Sequence, residues 1–248
     1  MNIMYYVYDK SYPGFLTAIY EIYHHGTSQL EGIRKVGGEP VLFGAEMIVE
    51  TSYDKADRVA IAFEEACGKR AMRWLYRAFL SDEEGMEMKL FEFIRQGFRK
   101  KKSIYRYQKE DWVQDILDMC REVGNETEKF RGITRFSELE EGMLFATINP
   151  THNILPVLAV HFQDRLAAHR WAIYDVNRQT AAVYEQGKTM LVEVPQLAKN
   201  LTYSEKEENF RKLWRGYYEH MAIEERLNPD LQRNFLPKKY WAYLVEKQ

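Results

Sequence analysis

The sequence predicts an α+β protein with a helical N-terminal part and a roughly five-stranded antiparallel sheet flanked by helices. Two observations predict this class. Between residues 54 and 130, apolar side chains recur at the three- to four-residue spacing of amphipathic helices. Beyond residue 130, short apolar runs alternate with turn residues, which is typical of strands. We expect two regions, residues 1–130 and 131–248, that pack together as one unit.

The first region opens with a strand and a helix. The aromatic run at residues 5–8 predicts the strand, and Pro13 suits the first turn of the helix. The glycine-containing stretch 26–40 predicts a loop, and residues 46–49 predict a brief second strand.

Helices fill the rest of the first region. Thr51 or Ser52 can cap a helix over residues 54–67, and Gly68 would end it. Three further amphipathic patterns between there and residue 130 predict three more helices.

The second region begins with a change to strand-like patterns. Five strands are predicted, at residues 133–136, 144–148, 171–174, 181–184 and 190–194. A helix over residues 154–166 separates the second strand from the third, with Pro156 tolerated in its first turn. Two helices follow the sheet, over residues 205–226 and 237–246. In the first of them, Leu213 and Tyr217 predict a core-facing stripe.

Composition excludes several protein classes. No apolar run approaches the roughly 18 residues that a membrane span needs, so we expect no membrane association. The first residues lack the pattern of a signal peptide, and Cys67 and Cys120 are too few for a disulfide framework, a CxxC zinc site or a three-cysteine iron–sulfur motif. We therefore expect a cytoplasmic protein with no metal and no cofactor evident in this chain. The 35 basic residues nearly balance the 37 acidic ones, so charge is informative only locally.

The densest positive segment of the chain lies at residues 95–109, which contain no acidic residue. Its cations are Arg95, Arg99, Lys100, Lys101, Lys102, Arg106 and Lys109. Closely spaced lysines and arginines match the charges of a phosphate backbone, and the interleaved Phe98, Tyr105 and Tyr107 could stack on exposed bases. The alternative is a solvated helix end, whose cations offset the helix dipole.

Other cations extend this hypothesis. Near the C-terminus, the candidates for nucleic-acid contact are Arg211, Arg215, Arg226, Lys238 and Lys239. Between them and the basic segment, three arginines could clamp phosphates, namely Arg135, Arg165 and Arg178. The alternative is a connection between helices that Arg226 holds by bonding to carbonyl groups.

Candidate catalytic groups are His152 and Asp175. His152 lies in a loop between a predicted strand and helix, where a polar side chain can serve as an acid or base. Asp175 ends a predicted strand and could orient a base or activate a water. The alternatives are a capping or surface role for His152 and a turn-forming role for Asp175. No pair of histidines has the spacing of an HExxH zinc site, and phosphate-loop, dinucleotide-binding and GxSxG motifs are absent from the sequence.

Several stretches resemble a bacterial family described as DNA-metabolism or DNA-repair proteins. They are DKSYPGFLTAIYEIY, YDKADRV, ITRFSEL, INPTHNILPVLAVHFQDR, WAIYDVNRQTAAVY and LWRGYYEHMAIEERLNPDLQRNFLPKKYWAYLVE. Members of that family are encoded beside a radical S-adenosylmethionine protein of DNA modification or repair. A similar C-terminal domain is fused to uracil-DNA-glycosylase-like domains. The resemblance implies a DNA-related role and a radical-SAM partner, and any iron–sulfur cluster would belong to that partner.

Some residues that recur among members of that family are also found at the matching positions of this sequence. The resemblance assigns no chemical role to them. They are Asp9, Arg58, Arg135, Asn149, His152, Phe162, Arg165, Asp175, Arg178, Trp214, Arg215, Arg226, Asn228, Pro237 and Trp241.

Three functions therefore remain open. The first is a DNA-binding accessory protein in a repair or base-modification pathway, acting with a radical-SAM partner. The second is a DNA-processing enzyme, glycosylase-like or nuclease-like, with His152 and Asp175 as its acid/base residues. The third is a protein-interaction scaffold that never touches nucleic acid. The oligomeric state is left open.

Overall fold

A computed structural model describes residues 4–38, 44–195, 201–220 and 228–245 of the chain. The chain divides into two compact units, residues 1–124 and 125–248. Helices and strands are both present, so the α+β class is confirmed. Among the described helices, none is both long and apolar enough to cross a membrane.

Unit 1 combines a small parallel sheet with five helices in its described part, the last of which continues into unit 2. Its elements are β1 (Met4–Tyr8), α1 (Tyr12–His25), β2 (Leu30–Lys35), β3 (Ala45–Ile48), α2 (Tyr53–Cys67), α3 (Lys69–Phe79), α4 (Met86–Lys100), a 3₁₀ turn (Lys101–Arg106) and α5 (Asp111–Ile133). The sheet order is β2-β1-β3, and both pairs are parallel. β1 lies at the centre, which explains its buried aromatic residues Tyr6 and Tyr8.

The structure corrects the prediction of a loop over residues 26–40, because this stretch contains β2. The strand was hidden by Gly32, which breaks the apolar pattern but lets the ring of Tyr5 on β1 lie against it. The helix that follows β3 begins and ends as predicted. The hydroxyl of Ser52 accepts the N–H of Lys55, and Gly68 closes α2 with a φ of 89°.

Unit 2 is built around a five-stranded sheet of order β4-β5-β6-β7-β8. Its elements are β4 (Ser137–Glu138), β5 (Leu144–Ile148), α6 (Leu155–Arg165), β6 (Trp171–Asp175), β7 (Thr180–Glu185), β8 (Lys188–Glu193), α7 (Glu205–His220), α8 (Pro229–Phe235) and a 3₁₀ turn (Lys238–Tyr243). The first strand lies later than predicted, because α5 continues to Ile133. The terminal helix predicted over residues 237–246 is a 3₁₀ turn, and α8 precedes it.

The prediction of a purely antiparallel sheet is wrong for one pair. β5 and β6 are parallel, whereas the other three neighbouring pairs are antiparallel. The cause is α6, which carries the chain from the end of β5 back to the start of β6, as parallel strands require. As a result, the carboxyl ends of β5 and β6 meet at the same edge of the sheet.

The predicted core-facing stripe of α7 is exposed in the structure. Leu213 is 74% exposed and Tyr217 is 56% exposed, so the prediction that both face a core is wrong. The predicted continuation of this helix to Arg226 falls on residues 221–227, outside the described part of the chain.

Candidate functional site

The parallel pairing of β5 and β6 brings the two predicted catalytic residues to one edge of the sheet. Ile148, the last residue of β5, pairs with Asp175, the last residue of β6. The loop with Pro150, Thr151 and His152 leaves β5 at this edge. In α/β sheets, such an edge is where ligands commonly bind.

Asp175 is fully buried and holds the turn that follows β6. Its Oδ1 accepts hydrogen bonds from the N–H groups of Asn177 at 3.0 Å and Arg178 at 3.3 Å. Its Oδ2 pairs with the guanidinium of Arg178 at 3.0 Å. Burial raises the pKa of Asp175, and the contacts with Arg178 and Asn177 offset only part of that effect. With the described contacts engaging both oxygens, the geometry favours a turn-forming role.

The turn between β6 and β7 also donates hydrogen bonds to the loop that leaves β5. Arg178 Nη2 donates to the carbonyl of Thr151 at 2.7 Å, and Asn177 Nδ2 donates to the carbonyl of Pro150 at 2.7 Å. Arg178, predicted as a phosphate clamp, therefore binds protein groups at this edge. Two of the loop's carbonyl groups are held by the β6–β7 turn.

Glu126 holds the N–H groups of the same loop. Its carboxylate is buried and accepts hydrogen bonds from the backbone N–H of Thr151 at 2.8 Å and of His152 at 2.7 Å. Burial alone raises the pKa of Glu126, but the bonds from His152, Thr151 and the Tyr240 hydroxyl outweigh it and lower the pKa below its ordinary value. The loop is thus fixed by Glu126 on its N–H side and by Arg178 on its carbonyl side.

Residues near the C-terminus complete this arrangement. The Tyr240 hydroxyl donates to Glu126 Oε1 at 3.0 Å, and its ring packs edge-on against Phe130. Lys239 donates to the hydroxyl of Thr151 at 2.6 Å and lies 4.0 Å from Glu126. Lys239, predicted to contact nucleic acid, is therefore engaged with the loop. We name the contacts of Glu126, Thr151, His152, Arg178 and Tyr240 the loop clamp.

Sequence reasoning missed Glu126 and Tyr240. Glu126 lies in an acidic stretch with Glu122 and Glu128, and a run of acidic residues on a helix is typical of a solvated face. A signal was present, because Glu126 falls between Val123 and Phe130 on the buried face of α5, where an acidic residue needs partners.

The predicted basic segment lies in unit 1, at the end of α4 and in the 3₁₀ turn after it. Arg95 differs from the rest, because its guanidinium pairs with Glu92 at 2.6 Å. The others fall in residues 99–109, which we name the basic turn. Its cations are Arg99, Lys100, Lys101, Lys102, Arg106 and Lys109, and within the described residues none of them has an acidic partner within 4 Å.

A tyrosine attaches the basic turn to the start of α3. The Tyr105 hydroxyl donates to the carbonyl of Cys67 at 2.7 Å and accepts the N–H of Ala71 at 3.2 Å. Arg70 lies over the rings of both Trp74, at 4.7 Å, and Tyr105, at 5.6 Å. Arg70 therefore joins the same basic surface, although its distance along the chain kept it out of the sequence prediction.

The remaining predicted cations are distributed over unit 2. Arg165 is exposed at the end of α6, and Arg215 is exposed on α7. Lys238 is exposed and lies 6.0 Å from the centre of the Trp241 ring. Arg135 and Arg211 line one cavity. Arg226 lies outside the described residues.

The described residues contain no cluster of three or more histidine, cysteine or acidic side chains that could hold a metal ion. Both cysteines are unpaired thiols, and burial raises the pKa of Cys67 to about 11 and that of Cys120 to about 12. Neither is poised as a nucleophile at neutral pH.

Residues 84–246 match the model of a family described as a domain of unknown function, DUF4130. The chain belongs to this family. Comparison with curated proteins gives no match. The DUF4130 region includes the basic turn and the whole loop clamp, whereas Arg70 and Trp74 precede it.

Proposed function

We propose that this DUF4130 protein binds the phosphate backbone of nucleic acid through the basic turn and Arg70. The observation that carries the proposal is the close spacing of the cations in the basic turn, which have no acidic partner within 4 Å among the described residues. The 3₁₀ turn from Lys101 to Arg106 advances about 2 Å per residue, so its six residues span roughly 12 Å. Duplex DNA carries one charge per about 1.7 Å of its axis, so a cluster of cations on this scale matches several phosphates.

The aromatic residues of this surface hold cations in place. Tyr105 and Trp74 support Arg70, and Lys100 lies 4.7 Å from the centre of the Tyr107 ring. Such contacts keep long side chains ordered, which lowers the entropy cost of binding a phosphate. In this proposal Tyr105 supports Arg70, and the sequence hypothesis that Tyr105 stacks on a base stays a prediction.

The backbone at Lys101 provides independent support. Lys101 has a φ of 51°, which favours glycine and costs other residues about 1 kcal/mol or more. Backbone strain of this kind clusters at functional sites, where the surrounding structure holds it in place. A lysine at a position suited to glycine supports a role for its charge.

The resemblance to the DNA-metabolism and DNA-repair family supplies the pathway and the partner in this proposal. The pathway is DNA repair or base modification, and the partner is a radical-SAM protein. Binding through the basic turn needs no catalytic residue in this chain, which agrees with the turn-forming geometry of Asp175.

The test is the salt dependence of binding to fluorescent single- and double-stranded DNA, measured by anisotropy. The variant Lys101→Gln/Lys102→Gln/Arg106→Gln removes three charges from the basic turn. If each contacts one phosphate, the slope of log affinity against log salt on duplex DNA becomes shallower by about 2 to 3. On single strands the change is about 2.

A matched control removes three exposed lysines of unit 2, in the variant Lys188→Gln/Lys206→Gln/Lys212→Gln. Its net charge is the same as that of the basic-turn variant, and its salt slope is expected to equal that of the unchanged protein. If both variants lost DNA affinity equally and their salt slopes became equally shallow, binding would depend on overall charge alone, and the proposal would be overturned. Absence of binding at low salt would overturn it as well.

A further inference from the structure

Helix α3 of unit 1 carries a row of cations next to the basic turn. Its sequence, KRAMRWLYRAF, contains four basic residues and no acidic residue. All four are exposed, namely Lys69, Arg70, Arg73 and Arg77. Within the part of the chain that the structure describes, none of them pairs with an acidic group within 4 Å. The charge of α3 is therefore turned to solvent and is not used to hold the fold together.

The four cations share one face of α3, which we name the α3 face. At about 100° per residue, Lys69, Arg73 and Arg77 follow one another in steps of about 40°, and Arg70 completes an arc of about 100°. From Lys69 to Arg77 the row extends about 12 Å along the helix axis. The residues of the opposite face are buried, namely Ala71, Leu75, Ala78 and Phe79. Because α3 packs on α2 and α4 through that face, the cationic side is the side that a partner can reach.

Two of these cations oppose the helix dipole. Lys69 and Arg70 lie in the first turn of α3, where the dipole disfavours positive charge, and that turn contains no acidic residue to offset them. Arg70 is also held in place, because its guanidinium lies 4.7 Å from the centre of the Trp74 ring. A bound polyanion relieves both the repulsion among the cations and their repulsion by the dipole. The charges of the α3 face therefore fit an anionic partner.

The shape of the α3 face favours a DNA duplex over a single strand. A helix with its side chains is about 10–12 Å across, and the major groove of B-form DNA is about 12 Å wide. Single strands bind by stacking their bases on aromatic rings, but the rings beside this face are engaged. Tyr76 packs edge-on against Tyr12 at 5.0 Å, and Trp74 lies under Arg70. The narrow major groove of duplex RNA does not admit side chains, so DNA fits better than RNA.

We propose that α3 enters the major groove of duplex DNA. This inference rests on the proposed function, because the basic turn, which Tyr105 attaches to the start of α3, contacts the phosphate backbone of the same duplex. Arg73 lies in the middle of the α3 face and contacts base edges, where an arginine recognises O6 and N7 of guanine. Lys69, Arg70 and Arg77 flank it and contact the phosphates along the groove.

The test compares the affinities of four fluorescent nucleic acids of equal length by anisotropy at low salt. They are a G·C-rich DNA duplex, the same duplex with 7-deazaguanine, which lacks N7, one of its single strands, and the corresponding RNA duplex. The DNA duplex is expected to bind about tenfold tighter than the single strand or the RNA duplex, because α3 adds contacts only in the DNA duplex. Replacing guanine with 7-deazaguanine is expected to weaken duplex binding about fivefold.

Two variants of α3 separate base contact from phosphate contact. Arg73→Ala is expected to weaken duplex binding about fivefold and to abolish the difference between guanine and 7-deazaguanine. Lys69→Ala is expected to keep that difference, to weaken binding to all duplexes alike and to make the salt slope shallower by about 1. Alanine suits exposed helix positions, and thermal unfolding verifies that each variant is folded. The matched control is Lys212→Ala, an exposed lysine of α7, which is expected to change neither readout.

The inference can fail while the proposed function stands. It is overturned if the single strand or the RNA duplex binds as tightly as the DNA duplex, if 7-deazaguanine has no effect on the unchanged protein, or if its effect persists in folded Arg73→Ala. In each of these cases, a shallower salt slope of Lys101→Gln/Lys102→Gln/Arg106→Gln would still support phosphate binding by the basic turn. Absence of all binding at low salt is a separate outcome, which overturns the proposed function and this inference together.

Discussion

The backbone N–H of His152 donates a 2.7 Å hydrogen bond to the buried carboxylate of Glu126, 26 residues earlier in the chain. Through this bond, a helix that leads into the sheet fixes the loop that leaves β5. The Thr151 N–H and the Tyr240 hydroxyl bind the same carboxylate. Glu126 therefore stabilises the loop and the C-terminal 3₁₀ turn together.

Replacing Glu126 tests this role. Glu126→Gln keeps the size of the side chain but turns one acceptor oxygen into a donor, opposite groups that are themselves donors. We expect the free energy of unfolding to fall by about 2 to 3 kcal/mol, measured by urea denaturation. The control is Glu128→Gln on the same helix, an exposed residue whose loss is expected to cost no more than about 0.5 kcal/mol. Equal effects of the two substitutions would contradict the role of Glu126.

Glu126 and Asp175, which are buried carboxylates in the described part of unit 2, predict opposite pH dependences. The pKa of Glu126 is lowered by folding, so its stabilisation is present above about pH 4.3 and is lost as the pH falls through the folded value. The pKa of Asp175 is raised, so its contribution to stability falls as the pH rises from about 3.9 through the folded value.

Urea titrations between about pH 3 and pH 7 check these signs. Relative to the unchanged protein, Glu126→Gln is expected to lose less stability on acidification. Asp175→Asn is expected to lose more, because it lacks the group whose protonation favours the folded state. The same direction of change in both variants would contradict the assignment.

Lys101 allows charge and stability to be separated. Lys101→Gly removes a cation and also relieves the positive φ, so we expect weaker DNA binding together with a gain in stability of up to about 1 kcal/mol. Lys102→Gly removes the same charge at a position that does not have this strain, so it is expected to weaken binding and to lower stability. Anisotropy and urea denaturation of the pair give both readouts, and a stability loss with Lys101→Gly would refute the strain argument.

Tyr105 positions the basic turn without adding charge. Tyr105→Phe removes the hydroxyl that bridges Cys67 and Ala71, which is expected to cost about 1 kcal/mol of stability. We also expect a severalfold loss of DNA affinity at unchanged net charge, measured by anisotropy. Tyr107→Phe, which keeps the ring beside Lys100, is the control and is expected to bind normally. Normal affinity of Tyr105→Phe would show that the attachment to α3 is irrelevant to binding.

Gly97 allows α2 and α4 to approach closely. A Cβ atom at this position would lie 2.5 Å from the ring of Phe63 and 3.0 Å from the sulfur of Cys67. Gly97→Ala is therefore expected to lower the free energy of unfolding by about 1 to 3 kcal/mol. Gly124→Ala, on α5, meets only Arg77 at 3.9 Å and is expected to stabilise the protein by about 0.5 to 1 kcal/mol. Thermal or urea unfolding compares the two, and a loss of stability from both would show that packing at Gly97 is not special.

The local features of the chain could be predicted because neighbouring residues determine them. Ser52 and Gly68 mark the ends of α2 through their own backbone and side-chain chemistry. The acid-free basic segment can also be identified from sequence, since charge density along the chain needs no fold. The sequence by itself thus determined the α+β class, most helix positions and the candidate basic turn.

Only the tertiary structure decided which distant groups meet. An antiparallel neighbour would have placed the ends of β5 and β6 at opposite edges of the sheet, and the crossover through α6 brings Asp175 and the His152 loop to the same edge instead. Glu126 and Tyr240 are 114 residues apart, and no local pattern couples them. Local sequence sets backbone preferences, but contacts between remote side chains depend on strand direction and on packing, which the whole chain determines together.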